Sequence, residues 1–324
     1  MTDFTLTQTY SLIALNAQDS LNLTTAKKAA LRCAAAAVVL ESYLNGTLVA
    51  QKGDIFTFDA CTKNDFLYAE TVLPAVTGLG SQPLSRFLKA AAAISAKRLK
   101  ALERNIADSL KGVDALTEIP NLMGCDYFYC SAQVNIREYR TQETTYLAIT
   151  EALRADILED VIPTDETLCL LWLLKESGSL ADVFSQTELD LVMQKIGTLL
   201  HTAPFVKTLF GTQLHHGLQL TVKAFLKSKK AFVKTPLGTG INYALPILER
   251  SQSVFIDTEA YFSNGEKRLN DVLERLALQG HSCSVLRTGE VPLLKIDNIV
   301  YEAIPDYVGG KMPVHGVRLR KYPL

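Results

Sequence analysis

Two carboxylates in one short run are the residues most suited to chemistry. In "FIDTEAYF" (255–262), Asp257 and Glu259 stand two apart at the end of an apolar, β-prone stretch. Paired carboxylates in such a place hold Mg²⁺ in nucleases and phosphatases, where the ion activates water and neutralises a phosphoryl oxygen. Asp297 and Lys295 in "KIDNI" would complete a site of that kind. The competing reading is a capping cluster for a helix that begins near Ser263 or Asn264. Other candidates are thinner. His281 and Cys283 have alternate spacing at a helix-to-strand junction, but no third group is evident to orient a nucleophile–base pair. His215 and His216 are adjacent on one helix, so they point apart and do not chelate as an i, i+4 pair would. "PLGTG" lacks the strand–GxGxxG–helix setting of a dinucleotide loop. The leading reading calls for no cofactor and no metal. A metal-dependent hydrolase centred on Asp257 and Glu259 therefore stands as the alternative, and the leading reading is non-enzymatic.

That leading reading starts from charge. The chain has a formal net charge of −1, yet no Asp or Glu occurs between Asp190 and Glu249. The same interval carries Lys195, Lys207, Lys223, Lys227, Lys229, Lys230 and Lys234. At ~100° per residue, Lys223, Lys227, Lys230 and Lys234 form one helical stripe. Leu214, Leu218, Phe225 and Phe232 form another, nearly opposite. Such a helix can rest its apolar face on the protein and hold its lysines out, or lie in a membrane interface. Each lysine near an anionic bilayer is worth ~1 kcal/mol, so the stripe supplies about 4 kcal/mol at best. The plain alternative is a solvated helix face. Nucleic acid ranks low as a partner, because no base-reading motif accompanies the charge and the pI is about 6.5.

The elements that would carry these residues are mostly helical. Leu6, Tyr10 and Ile13 keep helical spacing. Thr24 and Thr25 offer a cap for "AKKAALRCAAAAVVLESYL", whose alanines permit close packing and which stops at Asn45-Gly46. Two β-prone runs around Lys52-Gly53 then read as a hairpin. "LSRFLKAAAAISAKRLKALERNIADSL" is a long helix or a helix pair. The aromatic run Tyr127-Phe128-Tyr129 follows Pro120 and Gly124 and reads as a second hairpin or wing. If exposed, its strand would invite pairing with another chain, in a homo-oligomer or with a protein partner; the alternative is packing on its own helices. Three further helices cover 145–200, with caps at Thr164 or Asp165 and at Thr187, and a stop at Gly178. Gly and Pro mark 236–252 as a linker. Beyond it, a β-α-β-β-β order with an amphipathic helix through Leu269, Val272, Leu273, Leu276 and Ala277 suggests a small α+β domain. The expected organisation is thus a mainly α domain with small β-hairpins over residues 1–245, then an α+β domain over 250–324.

At 324 residues and 48% hydrophobic, the chain suits two globular domains. Its six cysteines form no C-x-x-C pair, and "MTDFTLTQTY" is no signal peptide, so a cytoplasmic protein with reduced thiols is expected. No stretch reaches the ~18 uninterrupted apolar residues of a bilayer span, so membrane contact would be peripheral.

Residues 4–210 resemble the Golgi phosphoprotein 3 family. "LTQTYSLIALNAQDSLNL" is similar to its opening helix and turn. "ALRCAAAAVVLESYLNGTLVAQKGDIF" is similar to its buried helix and hairpin, with Glu41 and Gly46 in place. "ALRADILEDVIPTDETLCLLWLLKESGSLADVF" looks like its most recognisable stretch, with Arg154, the Pro163-Thr164-Asp165 turn and a Leu-rich helix. The resemblance implies a helical, peripheral membrane adaptor. Such a protein binds a phosphoinositide headgroup through an aromatic and several basic residues and self-associates through a hairpin. The family tryptophan falls at Ala26 or a neighbour, the arginine of the buried helix near Ala35 with Arg32 one turn away, and the later paired arginines near Lys100 and Arg104. The expected partner is an anionic membrane surface or a phosphorylated headgroup, met by Lys223, Lys227, Lys230 and Lys234 with Lys100 and Arg104.

Overall fold

A computed structural model describes residues 4–21, 23, 25–51, 54–59, 66–119, 137–159, 162–202, 204–214, 242–243, 253–258, 264–278, 281–296, 299–308 and 314–323. The chain is mainly α, with eleven α-helices and small antiparallel sheets among the described residues. It divides into two compact units, 1–122 with 135–216, and 123–134 with 217–324.

The first unit is built around helix α2 (Thr25–Leu44). Its residues 33–40 are all fully buried, and helices α1 (Leu6–Ala14), α4 (Leu84–Ala92), α5 (Ala96–Lys111) and α7 (Asp165–Ser177) pack against it. The alanine run lets these neighbours approach closely, because a methyl group fills little of the gap between backbones. Glu41 is buried at the far end of α2. Its carboxylate accepts the Thr7 amide at 3.0 Å and the Tyr68 hydroxyl at 3.1 Å. It thereby satisfies an orphan N–H at the positive end of α1. Burial, and then the Glu41 charge, push the Tyr68 phenol up.

Helix α7 follows its sequence signals. Thr164 caps it, and Gly178 ends it at φ 76° in the left-handed region that glycine adopts without strain. Trp172 is fully buried, and its indole N–H donates to the Thr212 carbonyl at 3.2 Å. The stretch 84–111 is a helix pair, α4 and α5, interrupted at 93–95, where Ser95 takes the cap of α5. Helices α3 (Leu67–Val72), α6 (Glu143–Leu158), α8 (Leu180–Val183), α9 (Gln186–Thr202) and α10 (Pro204–Phe210) complete the unit. Helix α9 begins one residue before the expected cap, Thr187. Ser185 and Glu188 instead form a reciprocal cap, the Glu188 amide donating to Ser185 Oγ and the Ser185 amide to Glu188 Oε2.

Strands β1 (Leu48–Ala50), β2 (Ile55–Phe58) and β3 (Gln82–Pro83) form one antiparallel sheet. The expected hairpin is its first pair, with Leu48 opposite Phe58. Strands β4 (Leu116–Ile119) and β5 (Glu138–Thr141) pair antiparallel, Leu116 opposite Thr141. The aromatic run Tyr127–Tyr129 between them lies outside the described residues.

In the second unit, six strands run in the order β6-β7-β11-β10-β9-β8, all antiparallel. They are β6 (Asn242–Tyr243), β7 (Ser253–Asp257), β8 (Cys283–Arg287), β9 (Leu293–Ile296), β10 (Ile299–Val308) and β11 (Val314–Lys321). Strand β6 falls in the stretch expected to be a linker, and "LLKIDNIVYEAI" holds two strands rather than one. Helix α11 (Gly265–Leu278) buries Val272 and Leu276 in a core with Ile256, Leu294, Ile296, Ala303, Val317 and Leu319. Ala277 is exposed, because it stands at the rim of the apolar stripe. Glu302 and Arg320 face each other across β10 and β11 and are buried as a pair at 2.7 Å.

Candidate functional site

Helix α5 gathers four exposed cations. Ser95 opens it, its hydroxyl accepting the Arg98 amide at 3.4 Å. Leu99, Leu102, Ile106, Ala107 and Leu110 recur at helical spacing and turn one face into the core. The opposite face therefore exposes Lys97, Arg98, Lys100 and Arg104. Lys97, Lys100 and Arg104, at spacings of three and four, form a stripe. Among the described residues none of the four is in an ion pair.

The acid within this stretch does not neutralise it. Glu103 is only 6% exposed and points inward. Its Oε1 accepts from Lys27 Nζ at 2.8 Å and from the Tyr139 hydroxyl at 3.1 Å. Lys27 is 1% exposed and also donates to the Asp19 carbonyl. Burial pushes the Glu103 carboxyl up, opposed by the Lys27 ammonium, and burial followed by the Glu103 charge pushes the Tyr139 phenol up. The pair thus ties α2 to α5 and β5 within the protein and leaves the surface of α5 cationic. At the other end of the helix, Lys111 is paired with Glu118, which also accepts the Ser20 hydroxyl at 3.2 Å. Asp108 is exposed. The unbalanced charge is concentrated at residues 97–104.

That placement is unfavourable for the helix itself. The N-terminal turn is the positive end of the helix dipole, where carboxylates stabilise and ammonium groups destabilise, each by ~0.3–1 kcal/mol. The first turn of α5 holds no acidic residue, and Lys97 and Arg98 occupy it. Proteins break such local rules mostly at functional or strained sites.

Further cations stand nearby in sequence. Arg86 and Lys89 are exposed on α4. No Asp or Glu occurs between Glu70 and Glu103, a second acid-free interval that charge counting along the chain reveals. On α2, Arg32 is half-buried, and among the described residues its buried Nε has no hydrogen-bond partner. An anionic oxygen would satisfy it.

The structure places the other expected site residues as follows. Lys100 and Arg104 share the exposed face of α5. Lys223, Lys227, Lys230 and Lys234 lie outside the described residues, as does Glu259. Asp257 is the last residue of β7, opposite Gly316 of β11. Among the described residues no His, Cys, Asp and Glu cluster is arranged to hold a metal ion. The Cys283 thiol donates to the His281 main-chain carbonyl at 3.8 Å. Cys33 and Cys169 are buried, and burial pushes the Cys169 thiol up, away from nucleophilic use. Among the described residues no helix is long and apolar enough to cross a membrane. Compared with protein-family models and with curated proteins, the chain matches none.

Proposed function

We propose that this protein is a non-enzymatic adaptor of Golgi phosphoprotein 3 type that docks peripherally on an anionic membrane surface, its cations meeting lipid phosphates. In this reading residues 1–245 are the docking domain and 250–324 a small α+β appendage. One observation carries it: Lys97, Arg98, Lys100 and Arg104 are exposed and unpaired by described carboxylates, and the first two stand in the N-terminal turn of α5, where cations cost the helix stability. At ~1 kcal/mol per basic residue near an anionic leaflet, these four supply about 4 kcal/mol, equivalent to a millimolar Kd. The lysine stripe Lys223, Lys227, Lys230 and Lys234 would supply a similar amount.

Sedimentation with phosphatidylcholine and phosphatidylcholine/phosphatidylserine vesicles tests this. Binding is expected only when the anionic lipid is present. Changing Lys97, Arg98, Lys100 and Arg104 to glutamine should abolish most of it, and changing the other four lysines should weaken it separately. Binding that ignores lipid charge, or survives both sets, rejects the proposal. Co-purification of a stable protein partner without lipid binding would instead favour a scaffold.

A further inference from the structure

Leu67 is 68% exposed although it is the first residue of helix α3. A single exposed leucine is ordinary on a protein surface. This one is held in a fixed place beside the cationic face. Asn105 of α5 donates through Nδ2 to the Leu67 carbonyl at 3.2 Å and to Thr71 Oγ1 at 3.1 Å. At ~100° per residue, Asn105 lies about 100° round α5 from Arg104, and Arg98 about 120°. Leu67 therefore stands at the flank of the exposed face on the side of Asn105 and Arg98. The preceding aromatic is committed elsewhere: Phe66 stacks on Tyr68 with ring centroids 5.0 Å apart. Leu67 stays exposed beside that stacked pair.

We infer that Leu67 is an apolar anchor that enters the boundary between headgroups and acyl chains of an anionic bilayer when the α5 face docks. This rests on the membrane reading of that face. Charge complementarity names the occupant. Lys97, Arg98, Lys100 and Arg104 outnumber Glu70, exposed one turn along α3, and Asp108. An exposed apolar side chain on the helix that packs beside a cationic face matches a lipid interface, where phosphates overlie hydrocarbon, and interfacial binding grows with both buried apolar area and electrostatic attraction.

Two variants of the full chain test it. In L67W, the new indole reports its own environment, because Trp172 is fully buried and serves as a constant background. With phosphatidylcholine/phosphatidylserine vesicles, L67W emission should shift to the blue and be quenched by brominated acyl chains, and with phosphatidylcholine alone it should do neither. L67S should bind the anionic vesicles about tenfold more weakly, the loss of most of one buried leucine side chain. Vesicle binding with unshifted, unquenched L67W emission overturns the anchor and leaves the cationic docking standing. Absence of binding by the parent protein overturns both. Unaltered affinity of L67S, at an unaltered melting temperature, also removes the anchor.

Discussion

Substituting Arg98 by glutamate should make the protein more stable and less able to bind. Arg98 occupies the third position of α5, three residues after the cap, and its amide already donates to Ser95 Oγ. Glutamate there completes a Ser-x-x-Glu capping box, its carboxylate reaching back to the amide of Ser95. The change removes a cation from the positive end of the helix dipole and installs an anion, each step worth ~0.3–1 kcal/mol, so about 1 kcal/mol in total. For a unit of roughly this size that raises Tm by about 2–4 °C. At an anionic bilayer the same change moves the charge by two, about 2 kcal/mol, or roughly thirtyfold in affinity. Differential scanning calorimetry and vesicle sedimentation on one preparation measure both. R98A takes the first step alone, so it should lose about fivefold in binding and gain about half of the rise in Tm. A destabilised R98E would refute the dipole argument. A stabilised R98E with parental affinity would refute the claim that this end of α5 meets anionic lipid.

Other consequences concern the scaffold under the site. K27M leaves the buried Glu103 without its cation and should cost ~3–5 kcal/mol in urea unfolding, whereas K27M/E103L/Y139F should lie within a few kcal/mol of the parent, and K27M as stable as the parent would show the pair to be inert. Glu188 is held below its ordinary pKa. Burial alone would raise it, but hydrogen bonds from Ser185 and Arg154, with the Arg154 charge, more than offset this. Its folded pKa thus lies below the unfolded value, so its contribution is complete above the unfolded pKa and is lost as pH falls through the folded one. E188Q should therefore be less stable than the parent at neutral pH and should converge with it in acid, and a gap independent of pH would contradict this assignment. E41Q weakens the acceptor at the start of α1, and its melting temperature should fall; Y68F removes the hydroxyl's bonds to both Glu41 and Thr5 Oγ1, and its melting temperature should fall too.

Much of the helical frame was legible because its signals are local. Thr164 and Gly178 bound α7 as their chemistry requires, and the alanine run of α2 is buried as its composition implies. The break at 93–95 was not legible, because Ala90–Ala93 have strong helix propensity and only Ser95 signals a new start. Charge was legible as composition but not as surface. Lys27 looks like any helix lysine, yet it is buried because Glu103, far along the chain, and the Asp19 carbonyl receive it. Glu103 looks as if it neutralises Lys100 and Arg104, yet it faces the core. Lys97 and Arg98 were overlooked beside Lys100 and Arg104. The signal for them was the acid-free run from Thr71 to Leu102. Strand β6 has two residues and no pattern of its own, and it exists through pairing with β7.

The most direct measurement is the ionic-strength dependence of the 324-residue chain sedimenting with anionic vesicles, beside the variant in which Lys97, Arg98, Lys100 and Arg104 are glutamine. Exposed charges are screened over ~10 Å at 0.1 M salt. The parent should release steeply as salt rises, and the variant should bind weakly at every salt concentration with a much flatter slope. Equal slopes for the two proteins, or parental binding that salt does not weaken, would contradict docking through the face of α5.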